Sequence, residues 1–385
     1  MIDTAPEFES AVLQRVAREV SGDPTIRVRA CVATPITSGT SRSDVHRVVL
    51  DVESVSGGGQ VSVFHKIYRN ITKDGTLRAA TDPIWKREVL LYESDLLGGV
   101  ETGLRAARCL DIDWASPTEC GLWLEDVGDL WSENWSIERY GLAARHLGQF
   151  NGHYVVENKV PDADFLFRDQ WHRYLEWCGD GLERLEAHRT DPRVLAVYSE
   201  DTTTALLHLW SRREQLVSEV HASVPLSLGH GDTSGRNLYD APQYPQQTVA
   251  IDWECVGLAT LADDPARLLG SSIHWFFRGR MDEAGYLADS ILTGYLEGLR
   301  DVGWDGDAAA VEQAFLAIAA TIYGFSYTGF VGQILGEETE EYGRRAYGCT
   351  GEQVECHRRE MGQFFSDIGT RYLTHPGKDR PRIGK

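Results

Sequence analysis

Leu228-Gly-His-Gly-Asp-Thr-Ser-Gly-Arg-Asn237-Leu238 is the stretch on which the reading of this chain turns. Asp232 stands five residues ahead of Asn237, and Asp252, in Ile251-Asp252-Trp253-Glu254, stands fifteen beyond it at the end of an apolar run. An acid, an amide and a second acid at these spacings suit phosphoryl transfer. Asp232 can take the proton of an attacking hydroxyl, while the amide oxygen of Asn237 and the carboxylate of Asp252 can hold Mg²⁺ against nucleotide phosphates. Phosphates and water complete the shell of such a hard cation, so two protein ligands suffice. The bland alternative is an ordinary turn, with Asp, Ser, Gly and Asn as loop formers and Asp252 as a helix cap. HGD alone does not decide between them. HGDxxxxN followed by an apolar strand and IDWE favours the chemistry.

These residues resemble the aminoglycoside phosphotransferase and choline kinase family, small-molecule relatives of the protein kinases. His230 to Asn237 match the family's HGDxxxxN loop, Ile251 to Glu254 its IDWE segment, and Asp264 a further Asp twelve residues after the metal Asp. The resemblance spans most of the chain in outline and is specific mainly across 228–264. It implies an α+β, bilobal, protein-kinase-like fold: a small antiparallel-sheet N-lobe over residues 1–125 and a large, mostly helical C-lobe over 126–385. It implies ATP and Mg²⁺, with Asp232 as catalytic base, His230 bracing the loop, and Asn237 and Asp252 on the metal. It also implies a strand lysine on the phosphates, matched by Lys66, and a helix glutamate paired to it, matched by Glu88. Singly, a strand Lys and a helix Glu are usually solvated; their order ahead of HGD gives them roles. Ser38, Gly39, Thr40 and Ser41 stand where a phosphate-covering loop is expected, although a single Gly39 departs from GxGxxG. Backbone groups of Glu125 and Val127, in Leu122–Gly128, would face the adenine.

Periodicity outlines the same two parts. Phe8, Val12, Leu13, Val16 and Val20 share one helix face within 5–20. Strands are expected at 27–37, 45–54 and 61–68, the last two joined by a flexible turn at Ser56-Gly57-Gly58-Gly59. Asp82-Pro83 opens a helix through Trp85, Val89, Tyr92 and Leu96. Beyond about 126, helical patterns cover the Tyr140–Tyr154 stretch, 168–189, 192–220, 281–301, 308–335 and 352–374, around a β-like island at 225–254. No repeat of 20–50 residues is apparent. Ala314 to Gly336 carries no charge, long enough to span a bilayer, but its Thr, Ser, Tyr, Gln and Gly content reads as a buried core helix.

Composition narrows the partners. The chain has 385 residues, 42% hydrophobic and 25% charged, with 38 basic and 58 acidic side chains and a net charge of −20. That argues against nucleic acid and anionic lipid, which need a basic footprint. Seven scattered Cys, no CxxC and no visible secretory signal suggest a reducing, cytoplasmic setting. Residues 1–125 carry a net −4 and residues 126–385 a net −16. Solubility explains such acidity, and so would a pocket for a cation. Glu125-Asp126, Asp129, Glu133 and Glu337–Glu341, with Trp131, Trp135, Trp171, Tyr174 and Trp177, suit a sugar or ammonium-bearing ligand, or serve as solvated faces and core. The leading expectation is therefore a cationic or sugar-like hydroxyl acceptor, an aminoglycoside-like antibiotic or an aminosugar. Asp232, Arg236, Glu254, Asp129 and Trp131 are its candidate contacts. Choline, a sugar, a nucleoside antibiotic or homoserine are alternative acceptors. A non-catalytic nucleotide-binding module and a hydrolase built on Asp232 and His230 are alternatives of another class.

Overall fold

The computed structural model describes residues 8–36, 44–55, 57–71, 76, 83–98, 102–129, 132–157, 159–168, 170–240 and 246–374. Ser38, Gly39, Thr40, Ser41 and Trp131, among the expected contacts, lie outside the described residues.

Period-two alternation in the N-terminal third builds a five-stranded antiparallel sheet behind one helix, α1 (Ser10–Ser21). Its strands are β1 (Arg27–Pro35), β2 (Asp44–Ser54) and β3 (Gly57–Arg69), then, after α2 (Arg87–Glu93) and β4 (Leu104–Ala106), β5 (Cys109–Ser116) and β6 (Glu119–Glu125). The order across the sheet is β1-β2-β3-β6-β5. The expected Gly turn falls partly inside the ladder, because Gly57, Gly58 and Gly59 pair with Ser54, Glu53 and Val52. Alternation gives the sheet two apolar faces. Val48, Leu50 and Val63 pack on Val12, Leu13 and Val16 of α1, while Tyr68, Leu122 and Leu124 pack on Trp85 and Val89 beside α2. Burying each such aliphatic side chain contributes about 1.5–3 kcal/mol.

The rest of the chain is mostly helical. It runs α3 (Ile137–Val156), α4 (Gln170–Ala187), α5 (Pro192–Leu195), α6 (Glu200–Ser211), α7 (Arg213–Ser223), β7 (Leu226–Gly229), β8 (Leu238–Asp240), β9 (Thr248–Ala250) and β10 (Gly257–Thr260). It ends with α8 (Asp263–Phe276), α9 (Ala284–Asp301), α10 (Ala308–Ser326), α11 (Val331–Leu335), α12 (Thr339–Tyr347) and α13 (Gly351–Thr374). A small antiparallel sheet with a large, helix-rich second lobe is the α+β, bilobal arrangement expected. β4 crosses over to it, pairing parallel with β9 in a sheet ordered β4-β9-β8.

Three departures from the periodicity have physical causes. Stretch 192–220 is three helices, because Asp191 and Ser199 accept the amides of Arg193 and Thr202 and start new turns. The uncharged stretch breaks at a 3-10 turn, Tyr327–Phe330, between α10 and α11; Val311, Phe315, Ile318 and Phe325 are fully buried inside the lobe. Helix α8 lies outside the expected helical stretches; every residue from Asp263 to Ile273 is buried, Asp263, Asp264 and Arg267 included, so its polar side does not mark a solvent face. Helices α3 and α9 cross so closely that a Cβ on Gly298 would stand 1.9 Å from the Arg145 carbonyl oxygen. This crossing sets α3 against β7, the strand that leads into His230.

Candidate active site

Lys66 lies on the β3 face that carries Phe64 and Tyr68, turned toward α2. Its Nζ is 2.8 Å from Glu88 Oε2 and 2.9 Å from Asp252 Oδ1. Glu88 is fully buried and fully used. Oε2 also accepts the Tyr68 hydroxyl proton, and Oε1 accepts the Trp253 amide at 3.2 Å. Burial opposes the charge on Lys66, but Asp252 and then Glu88 outweigh it and hold its pKa above the ordinary lysine value. Burial likewise pushes the Asp252 carboxyl up, yet the Lys66 charge and hydrogen bond bring it below its ordinary value. Glu88→Gln keeps the shape and removes the charge facing Lys66. We expect it to lower folding stability by about 1.5–3 kcal/mol. An unchanged urea midpoint would show that the pair contributes nothing.

The loop after β7 is built around a buried carboxylate. Asp264, at the start of α8, accepts the amides of His230 and Gly231 and the side-chain amide of Asn151, each at 3.0 Å. Gly231 has φ 77°, and a Cβ there would meet the Cys255 carbonyl oxygen at 2.2 Å, so only glycine fits. His230 Nδ1 accepts the Asp232 amide at 3.2 Å, so the proton sits on Nε2, which donates to the Ile251 carbonyl at 2.9 Å. Both ring nitrogens are occupied and the ring lies on Trp253 with centroids 4.4 Å apart. His230 is thus a positioning residue rather than a base.

Asn237 Nδ2 donates to the Asp232 carbonyl and to Asp232 Oδ2, both at 3.0 Å. Its amide oxygen is left facing away from those bonds. Antiparallel pairing of β8 with β9 sets Leu238 opposite Ala250, and the Ile251 amide bonds to the Asn237 carbonyl at 3.0 Å. Asn237 and Asp252 therefore leave the same end of one ladder. Asp252 holds a left-handed φ of 63°, which costs a non-glycine residue about 1–3 kcal/mol and is kept where the side chain must point one way. Carboxylate oxygens of Glu88, Asp252 and Glu254 lie within 4.8 Å of one another. Asp252, Glu254 and the Asn237 amide oxygen are hard oxygen donors of the kind divalent cations take, whereas both Glu88 oxygens are already engaged. Burial, and next the neighbouring Asp252, raise the Asp232 carboxyl above its ordinary value.

Some expected contacts fall elsewhere. Glu254 stands with Glu88 and Asp252 and adds to the field on Lys66. Asp129 is 82% exposed and lies 3.6 Å from Arg47, which also binds Asp126 at 2.7 Å. The Glu125 amide donates to the Arg108 carbonyl and its carboxylate takes Arg105, which leaves only its carbonyl for a nucleotide base. Val127 packs with Ala107, Val249, Tyr239 and Ile251, a small apolar floor that the sequence reading missed. Tyr68 and Asn151 were missed too: a lone strand Tyr and helix Asn carry no spacing signal. Trp171 is core, bonded to Thr321. Tyr174 lies over Arg267, at 4.7 Å, and feels the Asp232 charge.

No protein-family model matches the chain, and no curated protein matches it. Solved structures do. An aminoglycoside phosphotransferase from Alicyclobacillus acidocaldarius superposes with a TM-score of 0.53 at 16% identity, over 96% of this chain and 98% of that one. An amicoumacin kinase in complex with AMP-PNP and Ca²⁺ gives 0.49 at 14% identity, over 87% and 88%. A choline kinase from Cryptosporidium parvum gives 0.47 at 12%, over 89% and 88%. The first of these shows that the chain shares that structure's bilobal, kinase-like fold along nearly its whole length.

Proposed function

We propose that the protein transfers the γ-phosphoryl group of ATP to a hydroxyl of a small-molecule acceptor. One observation carries the reading: Lys66, 186 positions away in sequence, meets Asp252 at 2.9 Å, beside the Asn237–Asp232 pair. Lys66, oriented by Glu88, neutralises phosphate charge. Asn237 and Asp252 would hold Mg²⁺, which supplies charge stabilisation to the transferring phosphoryl group. Asp232 accepts the acceptor's hydroxyl proton as its oxygen bonds to the γ-phosphorus and the bond to the ADP oxygen breaks. Positioning and electrostatics supply most of the acceleration, because the protein makes no covalent bond.

A non-catalytic module would have lost one of Lys66, Asp232, Asn237 or Asp252, and all four are present. A hydrolase built on His230 would need a free ring nitrogen, and both are spent. The test is product mass: an acceptor gaining one phosphoryl group supports the reading, whereas phosphate release without an acceptor counts against it. Asp252→Ala should abolish the Mg²⁺ dependence of nucleotide binding measured by calorimetry; an unchanged dependence would remove Asp252 from the metal.

The segments that suggested a cationic acceptor have other partners. Asp126 holds Arg47, Glu341 holds Arg344, and Glu340 accepts the Gly351 amide. An aminoglycoside or aminosugar therefore gains no support from those carboxylates, and the reading stands on the hydroxyl alone. Seven free thiols fit the reducing, cytoplasmic setting we propose for it.

A further inference from the structure

Many arginines in this chain stand against carboxylates: Arg47 on Asp126, Arg139 on Asp240, Arg145 on Asp301, Arg193 on Asp191. Three others lie together without one. Arg236, Arg278 and Arg358 gather around Trp275, Tyr347 and His274, and none has a carboxylate partner among the described residues. Arg236 lies 5.0 Å over the Trp275 ring, and Arg278 lies 5.8 Å over Tyr347. Arg358 is only 3% exposed, and its Nε has no hydrogen-bond partner. It donates to Tyr347 Oη at 2.7 Å, Tyr342 Oη at 3.0 Å and His274 Nδ1 at 3.0 Å.

Because His274 Nδ1 accepts from a guanidinium, its proton sits on Nε2, 2.8 Å from Tyr347 Oη, and the imidazole is neutral. Burial first, then Arg358, His357 and Arg236, hold His274 well below its ordinary pKa, and no acid offsets them. A buried guanidinium without a carboxylate is costly, and here two phenols and an imidazole are its hydrogen-bond partners.

The cluster lies along the catalytic loop. α8 runs beneath that loop: Asp264 holds the His230 and Gly231 amides, Ser271 accepts the Gly235 amide at 3.3 Å, and Trp275 lies under Arg236. From Asp264 to Trp275 the helix advances about 16 Å. Between them Arg267, 1% exposed and paired with Asp263, keeps an Nη1 without a partner. Tyr174 and Tyr323 share its field and that of Asp232. Cations and phenols thus line the way from Asp232 outward, with Asp263 paired to Arg267 among them.

We infer that the acceptor carries an oxyanion, a carboxylate or a phosphate, seated against Arg236 and Arg278 with Arg358 behind them while its hydroxyl lies at Asp232. This rests on the phosphotransfer reading of Asp232 and names the class of its substrate.

The test is an equilibrium titration of the full chain, followed by ligand-observed NMR, with four probes on one ring: D-glucuronate, D-glucose 6-phosphate, D-glucose and D-glucosamine. The two anions should bind at least about tenfold more tightly than the neutral and cationic sugars, and the tighter anion identifies the oxyanion. Arg236→Ala and Arg278→Ala should each weaken the anions about tenfold, and Arg236→Lys should lose less. Both side chains are at least partly exposed, so these variants are expected to fold, which circular dichroism checks. Equal binding of glucosamine, anion binding indifferent to both variants, or no saturable anion binding at millimolar concentration each overturns the inference. The titration needs no nucleotide. Failure of the phosphotransfer reading would appear separately, as absent Mg²⁺-dependent ATP binding. Phosphorylation of an aminosugar undiminished in Arg236→Ala would keep that reading and overturn this one.

Discussion

Asp232→Asn is expected to lower kcat by about 10²–10⁴-fold while leaving Mg²⁺-dependent nucleotide binding close to that of the unaltered protein. The substitution keeps the side chain's size and its contact with the Asn237 amide, but removes the lone pair that takes the acceptor's proton. His230 offers no substitute, because its Nδ1 and Nε2 are engaged by the Asp232 amide and the Ile251 carbonyl. The pH profile carries an independent sign. Burial and Asp252 raise the Asp232 carboxyl above the ordinary aspartate value. The base works only when ionised, so kcat/KM should fall as pH drops through that raised value, earlier than for a solvated aspartate. In Asp232→Asn this acidic limb should vanish from the residual rate. Single-turnover rates with retained acid dependence, or activity within a few-fold of the unaltered chain, would remove Asp232 from the proton transfer.

Much of this site is legible in the sequence, because spacing within a short stretch encodes geometry. Asp232 and Asn237 meet inside one loop, and Asp252 follows at the end of the strand paired to it, so their approach is local. Lys66 and Glu88 are reachable by order along the chain, although their contact with Asp252 is made by tertiary packing. What stays hidden depends on which faces meet. Glu254 reads as an acceptor contact, and its grouping with Glu88 and Asp252 emerges only in the folded chain. Arg358 lies 126 positions from Asp232, and nothing in the helical pattern over 352–374 marks an arginine there as buried. The acidic excess of the larger lobe is a sum over the surface, whereas selectivity belongs to a few side chains. Around the loop those few are arginines, so the sign of the total said nothing about the sign of the site.

Asp264→Ala is the stability counterpart, with an expected loss of about 3–5 kcal/mol of folding free energy. The carboxylate, 2% exposed, accepts three hydrogen bonds at 3.0 Å, from the amides of His230 and Gly231 and from Asn151. Removing it leaves two backbone donors buried without partners, and each such orphan costs about 1–3 kcal/mol. The damage should be directional. Gly231 is held at φ 77° against the Cys255 carbonyl, and Asp232 follows it directly, so the base loses its aim before the lobe unfolds. Asp264→Asn is the discriminating partner, because an amide oxygen can still accept one of the two backbone amides. It should therefore recover part of the stability and less of the turnover, which requires both bonds to aim Asp232. Urea unfolding reports the first quantity and product formation the second. A midpoint for Asp264→Ala matching the unaltered protein, or equal recovery of stability and turnover in Asp264→Asn, would show that the loop is aimed by something other than this carboxylate.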